Sequence, residues 1–117
     1  MNTIDISKLN RLRGELAYNT SLVREVIDEF AEGVTAMQSA SGACAGDRSE
    51  LVHRLAGTAS MLAPQATLVG LNHLELALRE DDAKAEISYP AMCGHLDEVV
   101  AAFREWAAAA PPDGVSD

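Results

Sequence analysis

The sequence predicts an all-α fold, an antiparallel up-down four-helix bundle with a short extra N-terminal helix. Hydrophobic residues make up 48% of the 117 residues and aromatic residues only 4%, so small and aliphatic side chains must fill the core, which suits packed helices. Apolar residues recur three or four positions apart, and no segment alternates as a strand does. We expect one domain over residues 1–110 and a mobile tail over residues 111–117.

The first two helices are predicted from apolar stripes of different length. Residues 5–16 have the spacing of a short amphipathic helix that would cover one end of the bundle. A longer stripe runs over residues 22–37, opposite a charged face, and Asn19 or Thr20 can cap its start. The small, flexible residues 39–47 then predict a loop.

Three further helices complete the prediction. The third begins at Asp47, whose carboxylate can cap the first turn. The fourth has Pro64 in its first turn and a leucine stripe over residues 68–78. The fifth follows Ser88 and repeats apolar residues at helical spacing over residues 92–106. Short loops between these segments favour an up-down arrangement.

Charge and cysteine content exclude several classes of function. The chain has 18 acidic and 9 basic residues, and a net charge of −9 opposes binding to nucleic acid or to anionic membranes. Cys44 and Cys93 are too few and too far apart for a disulfide framework or a thiolate zinc site. No secretory signal pattern and no apolar run of membrane-spanning length occur. We therefore expect a cytoplasmic protein.

The stretch LVHRLAGTAS, residues 51–60, places a histidine on an unusually bare helix face. On a helical wheel, His53 lies about 155° from the middle of the apolar arc of this helix, so its imidazole is predicted to point to water. The outer side of the same helix carries small residues where charged ones are usual, which gives up helix propensity and suits a partner that must approach closely. The alternative is an ordinary surface histidine in a sequence that is rich in alanine throughout. The residues on this outer side are Ser49, Ala56, Gly57, Ser60 and Pro64.

Residues 53–75 resemble the histidine-containing phosphotransfer (HPt) domain of two-component phosphorelays. The family pattern has a histidine, then leucine, lysine, glycine and a small hydroxyl residue, and a leucine-glutamate pair late in the next helix. The positions that match are His53, Leu55, Gly57, Thr58, Leu74 and Glu75. The resemblance implies a phosphocarrier rather than an enzyme, in which His53 accepts a phosphoryl group from a receiver-domain aspartate and passes it to another receiver.

The resemblance also implies the partners and the docking surface. The partners are response-regulator receiver domains and, if the chain is a segment of a hybrid histidine kinase, that kinase; a monomer is expected. The chain needs no cofactor of its own, because Mg²⁺ is expected on the receiver. The expected docking residues are Ser49, Arg54, Ala56, Gly57, Ser60 and Pro64.

The sequence departs from the family pattern in two places. Ala56 stands where the family usually has lysine, and Ala63-Pro64 replaces the usual glycine-alanine at the end of the helix. Arg54 and Arg48 point away from His53 on the wheel. A cation of the partner, or Arg79 or Lys84, could compensate.

Two alternatives stay open. The chain could be an adaptor bundle that has lost phosphotransfer, for which Ala56 is the main argument. It could also be a metal-binding bundle, since Glu50 and His53 form a Glu-x-x-His motif, although the full site needs two such motifs. The remaining candidates are assigned structural roles: His73 and His95 on the surface, Glu75 as a structural partner or surface charge, and Met37, Met61 and Met92 in the core.

Overall fold

The computed structural model describes residues 3–115, and five α-helices account for most of them. These are α1 (Ile6–Glu15), α2 (Thr20–Ser39), α3 (Ala45–Leu62), α4 (Gln65–Arg79) and α5 (Ala85–Ala109). The helix content is 78%, and residues 3–115 contain no strand. The all-α prediction is therefore confirmed. No helix in this range is both long and apolar enough to cross a membrane.

Side-chain caps fix the starts of the first two helices. The Asp5 carboxylate accepts a hydrogen bond from the backbone N–H of Lys8 at 3.2 Å, and the Asn19 side chain accepts one from Leu22 at 3.2 Å. Each of these bonds satisfies a backbone donor that the helix itself leaves without a partner. The sequence-based assignment of Asn19 as a cap of α2 is confirmed.

Two helices begin earlier than their sequence patterns predicted. Helix α3 starts at Ala45, two residues before Asp47, and Asp47 lies in the first turn, where a negative charge favours the helix dipole. Helix α5 starts at Ala85 and contains Pro90. Pro90 lies in the second turn, so the missing N–H removes only one hydrogen bond close to the helix start. Pro64 precedes α4 as its N-cap, one position before the first turn.

The helices pack around one continuous core. Helix α2 contacts α3 and α5, α4 contacts the same two helices, and α1 packs on α2 and α3. Phe30 of α2 and Phe103 of α5 meet edge to face, with ring centroids 5.5 Å apart. A Cβ atom on Gly33 would lie 2.8 Å from Leu55 Cδ1, so α2 approaches the helix that carries His53 very closely.

A buried arginine joins the first helix to the end of the chain. Arg13 is fully buried, and its Nε donates to the Thr20 hydroxyl at 2.8 Å. Its Nη2 donates to the backbone carbonyl of Pro112 at 2.9 Å and also to that of Val115. A buried guanidinium requires such acceptors, because desolvation of an unpaired charge is costly.

A second set of hydrogen bonds anchors the same C-terminal segment. The Asp113 carboxylate accepts from the Ser21 backbone N–H at 3.1 Å and from the Ser21 hydroxyl at 2.7 Å, and these bonds lower the pKa of Asp113 below its ordinary value. The Gly114 N–H donates to the carbonyl of Tyr18 at 2.9 Å. The mobility of residues 111–117 stays a prediction, and these contacts argue against it over residues 111–115. Residues 116 and 117 lie outside the described residues.

Near the start of α3, Arg48 links this helix to α5. Its Nη2 donates to Glu86 of α5 at 2.6 Å, and its guanidinium lies 5.1 Å from the centre of the Tyr89 ring. The hydrogen bond from Arg48 lowers the pKa of Glu86, and burial raises the pKa of Tyr89 to about 12. The Tyr89 hydroxyl in turn donates to the carbonyl of Met37 at 2.5 Å. Arg48 is thus committed to the packing of the start of α3.

Candidate functional site

His53 lies in the middle of α3, on the side of the helix that faces solvent. Its side chain is 67% exposed, whereas Val52 and Leu55 on either side of it are buried. Those apolar neighbours fix the rotation of α3 against the core, and that rotation turns position 53 outward. The predicted exposure of the imidazole is confirmed.

The structure brings Glu75 of α4 against the ring of His53. Glu75 Oε1 lies 3.1 Å from His53 Nδ1, and Glu75 Oε2 lies 2.6 Å from Arg79 Nη2. The Glu75 side chain is only 12% exposed, so its carboxylate is held between two partners rather than free in solvent. Residues 75 and 79 are four apart on one helix, which places them on the same face of α4.

These contacts distinguish the two nitrogens of the ring. An ionised carboxylate can only accept hydrogen bonds, and the guanidinium of Arg79 can only donate, so His53 Nδ1 must carry the proton in its contact with Glu75. In a neutral ring, Nε2 then holds the free lone pair. The arrangement therefore offers one nucleophilic nitrogen, orients the ring, and places a negative charge behind it.

The surface next to His53 is open. A Cβ atom on Gly57 would meet nothing within 4 Å, and Gly57 and Ser60 are both exposed. The Ser60 hydroxyl donates to the carbonyl of Gly57 at 2.7 Å, so it is already engaged with its own helix. A partner could approach the helix backbone closely one turn after the histidine.

The predicted docking residues are not equally accessible. Ser49 is buried, and its hydroxyl donates to the Gly46 carbonyl at 2.8 Å, so its assignment to the exposed face is wrong. The wheel considers α3 alone, whereas in the fold neighbouring elements cover position 49. Ala56 and Pro64 are half-buried, and Arg54 is exposed with Nη2 3.4 Å from Glu50 Oε1.

Among the cations considered, Arg79 is the one whose contacts lead to the ring. Arg48 is bound to Glu86, as described above. The Lys84 side chain makes no hydrogen bond or ion pair with any residue of the range 3–115, and its backbone N–H donates to Asp82 Oδ1 at 2.9 Å. Arg79 reaches His53 through Glu75 and places a positive charge beside the carboxylate.

The role of Glu75 was underestimated from the sequence. Its assignment as a structural partner or surface charge is correct in that it is a hydrogen-bonding partner, but the contact with His53 was not predicted. A usable signal was present, since Glu75 and Arg79 share one face of α4 at a spacing typical of ion pairs. The relative rotation of α3 and α4, which brings that face to His53, is set only by tertiary packing.

The other candidates have separate environments. Glu50 pairs with Arg54, not with His53, and no cluster of three or more His, Cys, Asp or Glu side chains suited to a metal occurs within residues 3–115. His73 is exposed, whereas His95 is half-buried and its Nε2 lies 3.0 Å from the Thr67 hydroxyl.

The methionines also divide between two environments. Met37 is buried and Met92 packs against the core as predicted. Met61 is 43% exposed, so its assignment to the core is wrong. The reason is its place on the α3 wheel, on the outer side near Gly57.

No family model, no curated protein and no solved structure matches this chain. The assignment to the HPt family accordingly stays a proposal that rests on residues and geometry.

Proposed function

We propose that this protein is an HPt-type phosphocarrier, in which His53 Nε2 accepts a phosphoryl group from the aspartyl phosphate of a receiver domain and passes it to a second receiver. The observation that carries this proposal is the state of the ring: exposed, held through Nδ1 by Glu75, and open at Nε2. The open surface at Gly57 supports the proposal, because a receiver domain must approach the ring closely.

The transfer step requires little from the carrier. The lone pair of His53 Nε2 attacks phosphorus in line with the aspartyl oxygen, the N–P bond forms, the P–O bond breaks, and the aspartate leaves as a carboxylate with the electron pair. The proton on Nδ1 stays in place, so the ring becomes a cation. Glu75 Oε1, at 3.1 Å, stabilises that positive charge as it develops. The reverse sequence on another receiver regenerates the neutral ring.

Arg79 would offset the repulsion that Glu75 alone would create. A phosphoryl group near a carboxylate meets an unfavourable charge, and like charges in close contact are destabilising. Arg79 Nη2 lies 2.6 Å from Glu75 Oε2 and neutralises the carboxylate on the side away from the ring. This pair would partly compensate for Ala56, which replaces the usual lysine of the family.

The helix contacts support an antiparallel up-down four-helix bundle with α1 added at one end. Each of the four long helices contacts two others, in the cyclic order α2, α3, α4, α5, and the connections between successive helices are short. Short connections between packed helices favour antiparallel neighbours. Such a bundle presents α3 and α4 side by side, which is what the contact of His53 with Glu75 requires.

The direct test is phosphoryl transfer to the full chain from two kinds of donor. The first donor is a receiver domain charged with acetyl phosphate, and the second is phosphoramidate, a small molecule that does not require docking. The label on the protein should be labile in acid and stable in alkali, because it is held by a phosphorus-nitrogen bond.

Two variants assign the label to a residue. His53→Gln should fold normally and accept no label, whereas His73→Gln, which removes an exposed histidine of α4, should label as the wild type does. Labelling of His53→Gln at the wild-type rate would overturn the assignment. Failure of the wild type to label with phosphoramidate and with every charged receiver would favour the adaptor alternative, for which Ala56 is the specific argument.

A further inference from the structure

The negative charge of the molecule is concentrated on two helices. Helices α2 and α5 together carry eight acidic and two basic residues, whereas α1, α3 and α4 carry four acidic and six basic residues. Two of the six basic residues, Arg13 and Arg48, are buried, so four basic and four acidic residues remain toward the surface of α1, α3 and α4, in a chain whose net charge is −9. A negatively charged partner is therefore repelled least on the side that carries the histidine.

A groove between α1 and α3 opens on this side. It has a volume of about 190 Å³ and is lined by Lys8, Arg11, Leu12, Glu15, Ser60 and Met61. Ser60 follows His53 by seven residues, which places the groove about 10 Å farther along the helix axis, within the reach of a partner bound over the ring.

Arg11 places a positive charge at the groove, and this charge has no partner among residues 3–115. Its side chain is exposed and makes no hydrogen bond or ion pair with any residue in the range 3–115. Its neighbour Lys8 is engaged, since Nζ donates to the carbonyl of Ala63 at 2.7 Å and caps the end of α3. Arg11 is thus positioned to pair with a group from outside the molecule.

Exposed apolar side chains occur on both helices that meet at His53 and Glu75. Met61, 43% exposed, lines the groove, and Leu76, 55% exposed, directly follows Glu75 on α4. Apolar contact area next to a complementary charge is the usual composition of a transient protein interface.

We propose that the α1–α3 groove is a second docking contact for the receiver domain, in which an acidic side chain of the receiver pairs with Arg11 while an apolar side chain packs on Met61. This inference rests on the proposed phosphocarrier function. The donor must bring a negatively charged aspartyl phosphate to His53, so its reacting surface suits the least negative side of this chain. Arg11 would contribute to the binding of the receiver, and His53 would accept the phosphoryl group.

The test compares two charge reversals that change the net charge equally. Arg11→Glu alters the groove, and Arg104→Glu alters an exposed arginine of α5, whose Nη2 lies 3.9 Å from Asp28. With a charged receiver at low salt, Arg11→Glu should lower kcat/KM for transfer about tenfold, and the loss should shrink as salt is raised because screening weakens the pairing. Arg104→Glu should have a much smaller effect. Phosphoramidate, which does not require docking, should label His53 at the same rate in the wild type and in both variants.

The outcomes separate the two proposals. If wild-type His53 is labelled by neither donor, the phosphocarrier function fails. If labelling is normal and both reversals change transfer equally at every salt concentration, only the docking inference fails. It also fails if ultracentrifugation shows a wild-type dimer that Arg11→Glu dissociates, because the groove then serves a second copy of the chain.

Discussion

The contact between Glu75 and His53 predicts how the reactivity of the ring depends on α4. In Glu75→Gln the side chain keeps nearly the same shape and an acceptor oxygen, but the charge behind the ring is lost. We expect slower phosphorylation of His53, because the developing positive ring charge is no longer stabilised and Arg79 loses its anionic partner.

The size of the effect follows from the exposure of the pair. A hydrogen bond to a charged group contributes about 1.5–3 kcal/mol when it is shielded from water. His53 is 67% exposed, and for an exposed pair about half of the lower value or less remains. A loss of up to about 0.75 kcal/mol corresponds to transfer that is slowed by up to about three- to fourfold.

Phosphoramidate labelling of the full chain measures this rate without a contribution from docking. Glu50→Gln is the matched control: it removes a carboxylate three residues before His53, which pairs with Arg54 instead of the ring. Nitrogen chemical shifts of the ring should show protonated Nδ1 in the wild type and a mixture of tautomers in Glu75→Gln. Equal rates for the wild type, Glu75→Gln and Glu50→Gln, with unchanged tautomers, would refute the reasoning.

Two further predictions concern the packing beneath the site. Gly57→Ala should raise the free energy of unfolding by about 1 kcal/mol, because alanine favours the helix and its Cβ meets nothing. Gly33→Val should lower the free energy of unfolding by about 1–3 kcal/mol, because its Cβ meets Leu55 at 2.8 Å. Urea unfolding measures both changes, and a more stable Gly33→Val would contradict the close approach of α2 and α3. Burial raises the pKa of Tyr89 to about 12, so the folded state keeps the phenol proton after the unfolded chain has lost it, and stability should fall between the ordinary tyrosine pKa of 10.0 and about 12. Unfolding monitored across that range should show the loss in the wild type and less of it in Tyr89→Phe; identical pH profiles would count against a buried phenol.

The helical content and the exposure of His53 were predictable because both depend on periodicity within one segment. The apolar arc of α3 fixes which side is buried, so the outward direction of position 53 follows from spacing alone. Ser49 shows the limit of this reasoning, since a residue on the outer side of its own helix is buried when other elements cover it.

The partners of the site could not be predicted in the same way. The distance between Glu75 and His53 depends on how α3 and α4 rotate against each other, and no pattern within either helix states that rotation. The start of α5 differs from the predicted start for a local reason. Pro90 suggests a helix that begins close to it, but the helix tolerates one missing N–H in its second turn and begins at Ala85. The contacts of Arg13 with residues 112 and 115 join segments about a hundred positions apart, beyond any local signal.

The anchoring of the C-terminal segment bears on where this domain should be cut for experiments. A version that stops at residue 110, where α5 gives way to two prolines, would retain every helix but delete the carbonyls of Pro112 and Val115, which the interior guanidinium of Arg13 uses as acceptors. It would also delete Asp113, which holds the first turn of α2. The shortest faithful version of this protein therefore extends past its last helix, through residue 115.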